Sequence, residues 1–212
     1  MDDFNAILER ASKADEQTHP YVQLYETSTN TTSWLGGIPS MPNNMSWPIG
    51  DGSPYRFIAQ INCSDLPAEI WDGLGPRDGW LHIFGGYESG SMNYKVLHSK
   101  EFGVKKDPPS IPKEFYGDHS FVSPKVSVIF KKAIKVGRTF EDEEGVLAVI
   151  GGRRDKFHPG IEISDPRNAL LFEAIPNSKL DWIWHGGFLT ITTPKTSLSK
   201  DKFEPIIFEM GG

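Results

Sequence analysis

Three short features occur twice along this chain, in the same order and at nearly one separation. Gly151-Gly152 follows Gly36-Gly37 by 115 residues, the apolar run at 170–175 follows the run beginning at Arg56 by 114, and Gly187-Phe188-Leu189-Thr190-Ile191 follows Gly79-Trp80-Leu81-His82-Ile83 by 108. Repetition at a fixed offset is the mark of duplication, and it places half-repeats at approximately 30–100 and 145–210. No clean linker divides residues 110–145, so the expectation is a single domain over 1–212 whose two halves share one core. With Gly 21, Pro 16 and an aromatic share of 12%, the chain favours turns and short strands over a helical bundle. The predicted class is α+β: mostly antiparallel strands with few short helices, in two pseudo-repeated halves.

Local patterns refine that outline. Phe4, Ile7, Leu8 and Ala11 fall at the i, i+3, i+4, i+7 spacing of an amphipathic helix, and residues 21–27 alternate as a strand. Prolines at 39, 42, 48 and 54 remove backbone donors and fix φ, so the segment up to Tyr55 reads as an ordered loop pinned by Trp34 and Trp47. Residues 56–63 form a strand with Phe57, Ala59, Ile61 and Cys63 on one face and Ile58, Gln60 and Asn62 on the other. A short helix or turn near 66–74 precedes a strand that begins at Gly79 and ends at Gly85-Gly86. The segment KKDPPSIPKEFYGDHS reads as a surface loop, and Val126, Val128 and Phe130 alternate on a later strand.

Charge and apolar content bound the partners. The first 80 residues sum to −7, residues 81–140 to +5 and residues 141–212 to −4. An acidic first third argues against binding nucleic acid through its phosphates and favours a basic partner. No stretch approaches the ~18 uninterrupted apolar residues of a membrane helix. Cys63 is a single cysteine and the amino terminus lacks a secretory pattern, so the expected compartment is the cytoplasm.

Reactive patterns are sparse. Cys63 shares parity with apolar residues and reads as a buried thiol. The histidines at 19, 82, 98, 119, 158 and 185 have no close metal-ligand spacing, although Asp118-His119 and Asp155 with His158 could join a site made by folding. Gly86-Tyr87-Glu88-Ser89-Gly90 has the wrong spacing for a nucleophile elbow, and neither Gly-Gly pair matches a phosphate-binding fingerprint. The run Glu141-Asp142-Glu143-Glu144 reads as a solvated face, and Trp182 and Trp184 as core. No cofactor, metal or catalytic residue is predicted.

Two constellations suit recognition. Gln60 and Asn62 stand on one strand face just after Trp47-Pro48, and an aromatic beside amides can grip a peptide or small polar ligand. Arg153-Arg154-Asp155-Lys156, after the second Gly-Gly, is a basic cluster that could hold a carboxylate or phosphate.

The compound pattern Gly36-Gly37-Ile38-Pro39, Pro42, Trp47-Pro48 and Phe57-Ile58-Ala59-Gln60-Ile61-Asn62, with the closing segment from Leu170 through Trp184 to Phe208, resembles the YwqG-like bacterial proteins. The resemblance covers most of the chain, most strongly residues 34–66 and less so 145–210. It implies an α+β fold of two pseudo-repeated halves. That family has no established biochemical activity, and members occur near polymorphic-toxin genes. The resemblance therefore implies an immunity-type protein that binds a toxin directly, the alternative being a small-ligand binder or uncharacterised enzyme using a cleft between the halves. Ala174-Ile175-Pro176 and Trp184-His185-Gly186-Gly187 depart from the family pattern, which places any shared site in the first half.

Overall fold

β-branched and aromatic residues gather in short runs along this chain, and antiparallel pairing dominates among the described residues. The computed structural model describes residues 4–88, 91–110, 121–136, 144–153, 165–174, 188–200, 203 and 206–210. These fall into two compact units. The first comprises Met1–Tyr25, Leu66–Pro76 and Phe130–Gly212, and the second Glu26–Asp65 and Arg77–Ile129.

In the first unit, helix α1 (Phe4–Asp15) leads into β1 (Thr18–Glu26). The apolar stripe of α1 is narrower than its spacing suggests: Ile7, Ala11 and Ala14 are buried, whereas Phe4 and Leu8 are exposed. A helix with small residues at two of three contact positions sits close to its support and leaves larger flanking side chains outside. Strands β11 (Val146–Gly151), β12 (Asn168–Ala174), β13 (Phe188–Pro194) and β14 (Ile206–Met210) continue the unit. Their order is β14-β13-β12-β11-β1, with every neighbouring pair antiparallel. All six residues of β11 are buried, as expected for a strand covered on both faces. A four-residue helical turn, Lys195–Leu198, follows β13.

The second unit contains β2 (Trp34–Leu35), β3 (Ser40–Met41), β4 (Ile49–Gly50), β5 (Ser53–Pro54), β6 (Arg56–Asn62), β7 (Trp80–Glu88), β8 (Ser91–Ser99) and β9 (Val104–Lys105). The start of β10 (Val126–Val136) also belongs to it, and the remainder of that strand belongs to the first unit. The order β10-β2-β6-β7-β8 is again antiparallel throughout, while β3 pairs with β9 and β4 with β5.

Several expectations need correction. The class is mostly β and not α+β, since among the described residues two α-helices accompany fourteen strands; 66–74 holds a single 3-10 turn at Ile70–Gly73, within the expected short helix or turn. Gly85-Gly86 does not end its strand, because β7 runs on to Glu88. Glycine is needed there for close approach, since a Cβ on Gly86 would stand 2.3 Å from the ring of the fully buried Tyr55. The proline-rich loop is ordered, as read, with Trp34, Met41, Trp47, Tyr55, Phe57 and Phe84 in one buried cluster. The face assignment on β6 fails at Phe57 and Ile58. A register shift between Phe57 and Ala59 carries Phe57 onto the Gln60 side, opposite Phe84. Residues 111–120, 154–164 and 175–187 lie outside the described residues, and with them Asp118, His119, Arg154, Asp155, Lys156, His158, Pro176, Trp182, Trp184 and His185.

Candidate functional site

The aromatic and amide residues of the first half meet on one face of the second unit's sheet. Cross-strand partners run Ser127, Trp34, Gln60, His82, Leu97 from β10 to β8, so their side chains share a face. Asn62 and Trp80 form the adjacent row. The loop after β2 covers this face. Gln60 is fully buried; its side-chain oxygen accepts the Ser40 N–H at 2.9 Å and its amide donates to the Thr32 carbonyl at 3.3 Å. His82 Nε2 lies 2.9 Å from the Ser40 carbonyl oxygen, so that nitrogen carries the proton. Burial holds the His82 pKa below its ordinary value. Ser40 is therefore clamped at both its N–H and its C=O by side chains of the sheet.

Trp47 lies in the same layer. It is 7% exposed, its indole N–H donates to the Tyr55 carbonyl at 2.7 Å, and its ring meets Phe84 edge-on at 5.2 Å. Asn62 is half-buried; it donates to Thr32 Oγ1 at 3.2 Å and accepts the Ser64 N–H at 3.1 Å. Trp47 packs in the Phe84 row and Asn62 lies in the Trp80 row, with Gln60 between them, and each holds a segment of its own chain. Beside them Phe102 packs edge-on against both Trp34 and Trp80, with centroids 6.3 and 5.1 Å away. Phe102 is 39% exposed and Val104, two residues on, is 60% exposed.

Arg153 belongs to the first unit and lines a pocket with His19, Trp71, Asn168 and Lys195. The pocket has about 340 Å³ of free space, part of it open solvent. Gly151 and Gly152, at φ 78° and 74°, turn the chain so that Arg153 points inward and is 7% exposed. Its Nη2 lies 3.3 Å from Asp15 Oδ1, and Lys195 pairs with Asp72. Trp71 donates to the Leu170 carbonyl at 2.8 Å. Trp71 and Asp72 both take the left-handed conformation, with φ 55° and 56°, which non-glycine residues adopt rarely and at a cost. Sequence reading found Arg153 but not Trp71, Asp72, His19, Asn168 or Lys195; a Trp-Asp-Gly turn was the available signal.

Other reactive side chains are structural. Cys63 is buried, and burial, then the Asp78 charge, push its thiol up to about 12. No group of three metal-binding side chains occurs among the described residues. None of their helices is long and apolar enough to cross a membrane.

Residues 33–115 match a family described as a domain of unknown function, DUF1963. That span holds Trp34, Trp47, Gln60, Asn62, Trp80, His82 and Phe102; of the Arg153 pocket it includes Trp71 and not Arg153 itself. No curated protein matches the chain.

Proposed function

We propose that this chain is a protein-binding module of the immunity type, which neutralises a bacterial toxin in the cytoplasm by occupying it. The observation that carries the reading is exposed Phe102, packed edge-on against Trp34 and Trp80, with exposed Val104 two residues on, inside the family-matched span. An exposed aromatic ring already packed against two tryptophans loses little side-chain entropy on docking, which favours a protein partner. In this reading Gln60 and Trp47 position the covering loop, and Asn62 is the polar residue of the same unit that would meet a partner; Arg153 and Arg154 belong to the small-ligand alternative.

The matched family accords with the YwqG-like resemblance, which is strongest at residues 34–66. A single domain of two duplicated halves is part of the same proposal. It draws support from the strand orders, since β2-β6-β7-β8 and β11-β12-β13-β14 run in parallel succession along the chain. Both Gly-Gly pairs also have positive φ at both residues.

The test is co-expression with a toxin encoded beside the gene. Wild-type protein should restore growth and bind the toxin stoichiometrically, and Val104→Asp should weaken binding at least about tenfold without lowering the melting temperature. If no toxin is neutralised while a small molecule raises the melting temperature strongly, the reading falls and the small-ligand alternative, which the Arg153 pocket favours, replaces it.

A further inference from the structure

The geometry points to a carboxylate-binding site at Arg153, in which the chain's own Asp15 holds the place of the incoming carboxylate. This inference stands independently of the toxin-binding reading, because every residue it uses lies in the first unit, whereas Phe102 and Val104 lie in the second.

Two cations, Arg153 and Lys195, line one pocket. Arg153 is held there: it is 7% exposed and follows Gly151 and Gly152, whose φ of 78° and 74° lie in a region that other residues rarely adopt. The anions are not held in the same way. The Asp15 side chain is 32% exposed at the last position of α1, and the Asp72 side chain is 62% exposed. A buried guanidinium left without an anion is costly, and Asp15 is one anion that Arg153 keeps beside it. Exchange of one for another removes most of that cost, and the carboxylate that can leave is the one reaching solvent.

The rest of the pocket suits a small planar anion. The guanidinium offers a flat fork of donors that matches two carboxylate oxygens. The Trp71 ring forms a wall fixed by its bond to the Leu170 carbonyl, and Asn168 adds an amide. The pocket is small and opens to solvent, which suits a side-chain-sized group. The ligand class is a carboxylate, carried either by a free small acid or by an acidic side chain of a partner.

The test uses the full chain and follows the Trp71 indole N–H by NMR during titration with sodium acetate, with sodium chloride at equal ionic strength as control. A parallel titration uses a blocked Gly-Glu-Gly peptide. Acetate should shift the Trp71 resonance saturably where chloride does not. Asp15→Ala, which removes the internal competitor, should bind acetate about tenfold more tightly, and its lowered melting temperature should recover with acetate and not with chloride. Arg153→Lys, which keeps the charge but loses the fork, should bind at least about tenfold more weakly. Peptide binding at least as tight as acetate assigns the site to a partner's acidic side chain, and acetate binding alone assigns it to a free acid; either supports the site. Absence of an acetate-specific shift in both wild type and Asp15→Ala overturns it, as does unchanged affinity in Arg153→Lys.

Discussion

Gln60→Leu separates a scaffolding amide from a ligand-contacting one. Leucine nearly conserves volume at a fully buried position, so the change chiefly deletes hydrogen bonds. The Ser40 N–H, held at 2.9 Å on a half-buried residue, loses its acceptor. An unsatisfied donor of this kind costs about 1–3 kcal/mol. The Thr32 carbonyl, bound at 3.3 Å on an exposed residue, regains water and adds about 0.5 kcal/mol. His82 still holds the Ser40 carbonyl, so the loop loosens without detaching. The net loss is about 2 kcal/mol, which for a chain of this length lowers the melting temperature by about 4–8 °C. Calorimetry gives the shift, and hydrogen exchange at the Ser40 amide localises it, since that amide should lose protection first. A melting temperature within about 1 °C of wild type, with Ser40 still protected, would refute the reasoning and mark Gln60 as a ligand contact.

Two further outcomes follow from buried groups. The Cys63 thiol, pushed up to about 12, should not react with a thiol reagent at pH 8 in the native protein and should react once it is unfolded; stoichiometric native reaction would contradict its burial. Asp165 is 4% exposed, and burial by itself would raise its pKa. Hydrogen bonds from Arg167 and Arg10 outweigh burial and lower it. A depressed folded pKa contributes stability above the unfolded value of 3.8, lost as pH falls through the folded value. Asp165→Asn should therefore be less stable than wild type at neutral pH by about 2 kcal/mol, a figure reduced because Arg167 is largely exposed. That gap should close as the pH falls below 3.8; a constant gap in acid unfolding curves would refute the assignment.

Periodicity made the elements legible. The i, i+3, i+4 spacing gave α1, and the apolar runs gave β6, β7 and β12, because side-chain direction along a helix or strand is fixed by local geometry. The prolines likewise identified an ordered loop pinned by tryptophans. The mostly-β class was less legible, since 66–74 carries enough apolar residues for a helix yet closes into turns around left-handed Trp71 and Asp72. Alternation also misplaced Phe57, because one bulge reverses every side chain beyond it and no residue type announces it.

The sequence by itself determined which residues are rare and placed together: Trp47, Gln60 and Asn62 in one segment, Arg153 after a Gly-Gly pair. Only the tertiary structure decided what they face. Gln60 meets Ser40 and His82 through register across three strands, and Arg153 meets Asp15, His19 and Lys195 from elements far apart in the chain. A hydrogen bond or ion pair depends on distances of a few ångströms, and those are set by strand pairing and burial over the whole unit, which local residue order does not encode.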